Sequence, residues 1–252
     1  MSASMSAHMS AIVIIPARLA ATRLPGKPLA DIGGAPMIVR VVRQALAADV
    51  GRVAVAAGDS EIVGAVKAAG AEAVMTDPQL PSGSDRIMAA LQILDPQERH
   101  DVVINLQGDM PFVDPQVLGA CIRLLGARPE CDIATAVAAE SSPADRSNPD
   151  VVKAVLSLKA AEGHGRALYF TRSTLYGEAP VWRHIGIYAY RRQALESFTR
   201  ASPSPLELRE KLEQLRALEM GLQIWASILD EAPISVDTPA DLEAARAYAA
   251  GA

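Results

Sequence analysis

Short runs of β-branched and small apolar residues alternate, along the first half of the chain, with stretches whose apolar positions recur at helical spacing. Residues 12–15 (IVII), 52–57 (RVAVAA), 73–75 (AVM) and 101–106 (DVVINL) read as strands, and 37–48, 60–69, 85–94 and 114–125 as helices. Ser60 takes the N-cap of the second helix, and Asp114-Pro115 supplies a cap followed by proline at the first helical position of the fourth. The strands are apolar on both faces. That implies a mostly parallel sheet covered by helices, whose ligands bind outside the carboxyl ends of the strands. The second half differs. Residues 132–138, 151–156 and 184–190 read as strands without regular helices between them, and 139–150 and 173–183 read as loops. This suggests an inserted antiparallel lobe around 132–192. Beyond it, Ser204-Pro205-Leu206-Glu207 is a capping box that opens a helix with an apolar stripe of Leu208, Leu212, Leu215 and Leu222. Ile234-Ser235-Val236 reads as a last strand, and Thr238-Pro239-Ala240-Asp241 as the cap of a last helix.

The chain has 252 residues and is 50% hydrophobic, enough for one α/β domain over 11–252 with a sizeable core and a lobe. A net charge of −5 gives no support for a nucleic-acid partner, which needs a basic face. An acidic protein that binds an anion must instead concentrate its cations locally. Cys121 and Cys131 form no disulfide framework or zinc spacing, so a reducing, cytoplasmic setting is expected. No apolar run approaches the roughly 20 residues of a membrane span. The first ten residues, MSASMSAHMS, lack the apolar stretch of a signal peptide and read as a disordered start or cloning scar.

Such a local concentration of cations lies directly after the first strand. Residues 15–29, IPARLAATRLPGKPL, carry Arg18, Arg23 and Lys27, with Pro25, Gly26 and Pro28 around the lysine. A P-loop is excluded, because Ala21 stands at its first glycine and Pro28 at its Ser/Thr position. The remaining reading has Arg18 and Lys27 on phosphates, with Gly26 permitting close backbone approach; the alternative is a solvated turn paired to Asp31 and its neighbours. In INLQGDMP (104–111), Asp109 follows a buried strand and Gly108 at the edge where ligands bind. It is a magnesium ligand or a turn residue, since magnesium takes one or two carboxylates plus phosphate oxygens. In ISVDTPADL (234–242), Thr238 can take the cap and leave Asp237 free as a second carboxylate; alternatively Asp237 is itself the cap. RHIGIYAYR (183–191) alternates, so His184, Gly186, Tyr188 and Tyr190 share a strand face, which is solvated or lines a pocket, with solvation favoured by spacing. Glu213 and Gln214 sit beside the apolar stripe, where most such residues are exposed.

Together these pieces resemble the 3-deoxy-manno-octulosonate (KDO) cytidylyltransferase, or CMP-KDO synthetase, family. The segments IPARLAATRLPGKPLADIGGAPMI, PSGSDRI, LQGDMP, NPDVVKAV, ALYFTRST, RHIGIYAYRR, SPLELREKLEQLRALE and VDTPADLE carry the resemblance, in order from residue 15 to 243. It implies a doubly wound, mostly parallel α/β sheet of the nucleotide-diphospho-sugar transferase type with a small inserted antiparallel lobe. It implies transfer of CMP from CTP to KDO for lipopolysaccharide, with release of pyrophosphate, and a homodimer that meets through the lobe. Carried over by position, Arg18, Arg23 and Lys27 hold the CTP phosphates, and Ser82, Gly83 and Arg86 help hold the nucleotide. Asp109 and Asp237 bind Mg2+, and Gln107, His184, Tyr188, Glu213 and Gln214 line the sugar pocket. The chain departs from the family pattern at Ala21 (with Thr22 beside it), at Ala57-Gly58 with Asp59 one place later, at Met110, and near Leu175-Tyr176, where a Pro-Trp pair is missing and Trp182 is close by. The implied chemistry, attack of a sugar hydroxyl on the α-phosphorus, relies on positioning and charge neutralisation, with Arg18, Lys27, Asp109 and Asp237 as its catalytic groups. Three other readings stand beside it. One is a cytidylyltransferase for sialic acid or an amino variant of KDO, another a sugar-1-phosphate nucleotidylyltransferase. The third is a non-catalytic nucleotide sensor, which should have lost Asp109, Asp237 or Lys27.

Overall fold

Alternating strands and helices do form an α/β fold in the computed structural model, which describes residues 9–20, 23–139, 143–158, 162–177 and 180–251. Most of the expected N-terminal start, the departure at Ala21 with its neighbour Thr22, and 140–142 and 178–179 of the two expected loops lie outside the described residues. The chain divides into two compact units, 11–118 with 233–252, and 119–232 with Met9 and Ser10; the lobe span 132–192 lies within the second.

The first unit is built on β1 (Ala11–Ala17), which pairs in parallel with β4 (Arg52–Ala57) on one side and β6 (Val102–Asn105) on the other. β5 (Glu72–Met75) extends the sheet in parallel beyond β4. Ile12, Ile14, Val13 and Ile15 are all fully buried, as a parallel sheet with both faces covered requires. Between β1 and β4 lie a one-turn 3₁₀ helix (Lys27–Leu29), the short pair β2 (Asp31–Ile32) and β3 (Ala35–Pro36), and α1 (Met37–Ala47). The β2–β3 turn, not expected from the pattern, needs positive φ at two successive residues, and Gly33 and Gly34 supply φ 57 and 80. Next come α2 (Ser60–Ala68) and α3 (Gly83–Leu94); α4 (Gln116–Ala127) carries the chain on into the second unit, which it enters at Gly119. α2 corrects the expected cap: Asp59, not Ser60, is the N-cap residue, and the Ser60 hydroxyl turns to Glu61.

The second unit holds β7 (Ile133–Ala139), α5 (Pro143–Ser147), β8 (Lys153–Leu158), β9 (His164–Thr171), β10 (Trp182–Arg191), α6 (Arg192–Arg200), α7 (Pro205–Glu210), α8 (Gln214–Glu219) and β11 (Ile224–Leu229). Its strands run β10-β7-β11-β9-β8, with β7–β11 parallel and the other neighbouring pairs antiparallel. Strands β9 and β11 and helices α5 and α6 are additions to the sequence reading, α5 lying within the expected 139–150 loop. β9 enters through Gly165, where a Cβ would lie 3.0 Å from the Ser157 carbonyl, so a glycine opens a strand that otherwise alternates. The single helix expected after the Ser204 capping box is two. The box is formed, but Lys211 adopts φ 55 and ends α7, so Leu208 is left exposed while Leu212 and Leu215 are buried. α9 (Pro239–Gly251) returns the chain to the first unit. The expected strand at 234–236 is irregular. Val236 is fully buried with Ile32, Met37, Leu242 and Ala245 and makes one backbone bond, N–H to the Asp109 carbonyl at 2.9 Å, in place of a ladder.

Candidate active site

The parallel sheet of the first unit ends β1 at Ala17, β4 at Ala57 and β6 at Asn105, so the segments after these strands emerge at one edge. The chain passes from β1 into Arg18 and Leu19 and returns at Gly26, whose N–H donates to the Leu19 carbonyl at 3.1 Å. Gly26 has φ 72, a left-handed conformation that a side chain would strain, and it opens the 3₁₀ turn that carries Lys27. Behind β6, Gly108 lets the 106–110 segment approach β1: a Cβ there would sit 3.0 Å from the Pro16 carbonyl.

Lys27 joins the two carboxylates singled out in the sequence. Its Nζ donates to Asp109 Oδ2 at 3.0 Å and to Asp237 Oδ1 at 3.1 Å. Asp237 reaches this position because buried Val236 is bonded to the Asp109 backbone and because Thr238 caps α9. The Thr238 hydroxyl accepts from the Asp241 N–H at 3.2 Å while Asp241 accepts from the Thr238 N–H at 2.8 Å, so Asp237 is not the cap. The Asp109 side chain is 22% exposed, and its Oδ1 is buried without a hydrogen-bond partner. Burial raises the Asp109 pKa; Lys27 opposes the rise and Asp237 adds to it. Burial works against the Lys27 charge, yet the two carboxylates outweigh it and raise the Lys27 pKa. A buried carboxylate with an unpartnered oxygen beside a second carboxylate fits a hard divalent cation that takes one or two protein oxygens and fills its shell from phosphate and water. Both donors are carboxylate oxygens, the ligand type magnesium takes, rather than the thiolate or imidazole donors typical of zinc.

Arg18, Lys27, Ser82, Gly83, Arg86, Gln107 and Asp109 line one open cleft of about 320 Å³. Ser82 and Gly83 begin α3; the Ser82 hydroxyl accepts from the Asp85 N–H at 3.1 Å and donates to its carboxylate at 2.7 Å. The start of this twelve-residue helix therefore faces the cleft, where an anion is favoured. Arg86 is 2% exposed and donates to Thr76 Oγ1 at 2.6 Å and to the Asp77 and Pro78 carbonyls at 3.1 and 3.3 Å. Burial, and then Arg18, lowers its pKa. Gln107 donates to Asn105 Oδ1 at 3.1 Å. Arg23 stands apart from the cleft lining: it is 60% exposed and pairs with Asp237 at 3.3 Å, a weak surface contact. Of the departures from the family pattern, Met110 is a buried apolar residue, and Gly58 leaves room for Arg86, whose Nη1 would lie 2.9 Å from a Cβ there.

In the second unit, His184 and Tyr188 do share a face of β10, with ring centroids 5.4 Å apart, and Tyr190 lies 5.8 Å beyond Tyr188. The favoured solvated reading of this face is corrected: Tyr190 is 3% exposed and His184 and Tyr188 are half-buried. A register shift between Ile185 and Tyr188 bends the strand, and the Thr135 hydroxyl lies 3.2 and 2.7 Å from the Ile185 and Ile187 carbonyls and 3.0 Å from His184 Nε2. With its one proton committed to a carbonyl, that hydroxyl accepts from His184 Nε2–H and leaves Nδ1 an acceptor. Burial lowers the His184 pKa to about 3, so the ring is neutral. Tyr188 is pushed well above 10 by burial, with Tyr190 and Glu213 adding to it. Glu213 immediately precedes α8 and is half-buried; Gln214 opens α8 and is 8% exposed, against the expectation of an exposed pair. Sequence reasoning missed Thr135 and Asn105, which point inward from strands of ordinary pattern. It named Asp59 only as part of a departure from the family pattern and gave the helix cap to Ser60.

A family model described as cytidylyltransferase matches residues 12–224. A 3-deoxy-manno-octulosonate cytidylyltransferase of Rhodopseudomonas palustris is 59% identical over 236 residues, 93% of this chain and 96% of the relative. One of Parvibaculum lavamentivorans is 56% identical over 238 residues, covering 94% and 91%. A solved structure of CMP:2-keto-3-deoxy-manno-octonic acid synthetase complexed with CTP is similar at a TM-score of 0.88 and 37% identity, covering 96% of this chain and 99% of that one.

Proposed function

Since the chain belongs to the cytidylyltransferase family, we propose that it transfers CMP from CTP to 3-deoxy-D-manno-octulosonate, forming CMP-KDO and pyrophosphate. The observation that carries this reading is the meeting, at one sheet edge, of the cation loop with the Asp109–Lys27–Asp237 cluster and the start of α3. The KDO hydroxyl attacks the α-phosphorus and pyrophosphate leaves. Arg18 and Lys27 neutralise the charge that grows on the leaving group. Arg23, Ser82, Gly83 and Arg86 complete the nucleotide contacts, the helix start favouring phosphate. Asp109 and Asp237 hold Mg2+, which when bound supplies Lewis-acid polarisation of phosphate oxygens. Gln107, the Nδ1 acceptor of His184, the Tyr188 hydroxyl, Glu213 and Gln214 read the sugar. The product serves lipopolysaccharide synthesis in the cytoplasm, and the enzyme is a homodimer of doubly wound subunits meeting through the lobe that contains 183–191. No described helix is long and apolar enough to cross a membrane.

Pyrophosphate release from CTP tests this with a panel of KDO, its amino variant, sialic acid and a sugar-1-phosphate. KDO should give the highest kcat/KM. Turnover of the sugar-1-phosphate, with none of the acidic sugars accepted, would reject the assignment.

A further inference from the structure

Asp59 stands at the N-cap of α2, with the extended backbone (φ −138, ψ 142) that a capping aspartate normally uses, yet its side chain makes no capping bond. Its Oδ2 accepts instead from the Leu19 N–H, 40 residues away, at 2.7 Å. Leu19 is the residue on which the cation loop closes, because its carbonyl receives the Gly26 N–H at 3.1 Å. Arg18 precedes Leu19 and Lys27 follows Gly26. One step back, the Gly58 N–H donates to the Ala17 carbonyl at 2.9 Å, so two successive residues after β4 hold two points at the exit of β1. Arg86 and Arg18 crowd this corner: a Cβ on Gly58 would lie 2.9 Å from Arg86 Nη1 and 3.2 Å from Arg18 Cβ, and Asp59 is an opposing charge for Arg86.

We infer that Asp59 is a positioning residue for the nucleotide phosphates: it gives up its own helix cap to pin Leu19, and through the Leu19–Gly26 bond it sets the spacing of Arg18 and Lys27. This rests on the CTP reading above. A carboxylate acceptor for a backbone N–H makes a strong charge-assisted bond, and α2 does not depend on it for capping. The cost of losing it should therefore fall on the loop rather than on the helix.

The test compares Asp59→Ala, Asp59→Asn and Asp59→Glu in the full chain. Readouts are CTP binding by calorimetry without sugar, steady-state constants, and hydrogen exchange at the Leu19 and Gly26 amides. Asp59→Ala should weaken CTP binding about tenfold or more and speed exchange at both amides by a similar factor, with kcat also lowered because Arg18 and Lys27 are no longer set on the leaving group. Asp59→Asn keeps an acceptor oxygen and should stay within about threefold throughout. Asp59→Glu keeps the charge but moves the oxygens, and should behave like Asp59→Ala. If Asp59→Ala does not fold, the Asn and Glu pair still decides. Parent-like CTP affinity and amide protection in Asp59→Ala would overturn the inference. So would a parental Glu variant beside a defective Asn variant, which would assign the effect to charge near Arg86. If the parent binds CTP but transfers CMP to no acidic sugar, the proposed function fails while the exchange and binding arms still judge Asp59.

Discussion

The Lys27 ammonium is held between two carboxylates, one of them with a buried oxygen that has no other partner. Asp109→Asn removes a charge that a divalent cation needs but keeps the shape. It should lower turnover by about 100-fold or more, as loss of several kcal/mol of charge stabilisation implies, with far-UV circular dichroism unchanged. Unchanged turnover in a folded variant would overturn the metal role proposed for Asp109. Lys27→Ala removes a charge-assisted contact of about 1.5–3 kcal/mol, so CTP should bind roughly ten- to a hundredfold more weakly at low salt. Screening shrinks the advantage of a local cation, so the deficit should narrow as salt is raised, which calorimetry at two ionic strengths would read. On the sugar side, Tyr188→Phe deletes one hydroxyl from a half-buried ring. A loss of about 0.5–1.5 kcal/mol is expected in kcat/KM for the sugar, and none in CTP binding measured without it. A defect confined to CTP would place Tyr188 outside sugar recognition.

Elements of the first unit were largely legible because their period is regular: β1, β4 and β6 are short buried runs, and the helices between them begin at caps and prolines. The second unit was less so. Its apolar stripe from Leu208 to Leu222 has helical spacing, but Lys211 breaks it, and nothing local in Glu210-Lys211-Leu212 announces a positive φ. The break is stabilised from a distance. Arg216 of α8, 6% exposed, donates to both Glu207 oxygens at 2.7 and 2.6 Å, caps the Phe198 and Ala201 carbonyls, and lies 4.7 Å over the Phe198 ring. Glu207 also closes the capping box on the Ser204 N–H at 3.0 Å. Glu207→Ala removes the box and leaves a buried guanidinium uncompensated, so it should cost about 3–5 kcal/mol in denaturant unfolding. The double variant Glu207→Ala/Arg216→Met, which removes both charges, should cost less. Equal cost in the two would mean that packing, not the ion pair, joins α7 to α8.

Across the whole molecule, acid should reveal the buried groups of each unit. His184, in the second, titrates near 3 when folded against an ordinary 6.5, so the unfolded chain takes up its proton first. Its contribution is fully present above pH 6.5 and is lost as pH falls toward 3, at up to about 1.4 kcal/mol per pH unit. Asp95, in the first unit, is lowered to about 2: burial raises its pKa, but bonds from the Arg99 and His100 backbone and from the His100 ring outweigh it. That contribution is present above 3.8 and disappears only as pH falls through about 2. His184→Gln should therefore flatten the stability profile between pH 6.5 and about 3.8 and leave the loss from Asp95 at lower pH. An unchanged slope in urea midpoints across that range would show that His184 is protonated in the folded protein.

The sequence by itself determined the α/β alternation, the cation loop beyond the first strand and both carboxylates, and it offered Thr238 or Asp237 as the last cap, which the structure settled for Thr238. Each of these is set by neighbours within a few positions: periodicity, a proline, a cap, a glycine with positive φ. Only the tertiary structure decided which groups meet. Lys27 lies between Asp109 and Asp237 because Val236 is buried beside α9 and bonded to the Asp109 backbone, Arg23 makes an exposed pair with Asp237, and Asp59 leaves its helix for Leu19. Such partners are chosen by burial and charge between segments tens to hundreds of residues apart, and a side chain's own neighbours in sequence carry no record of that choice.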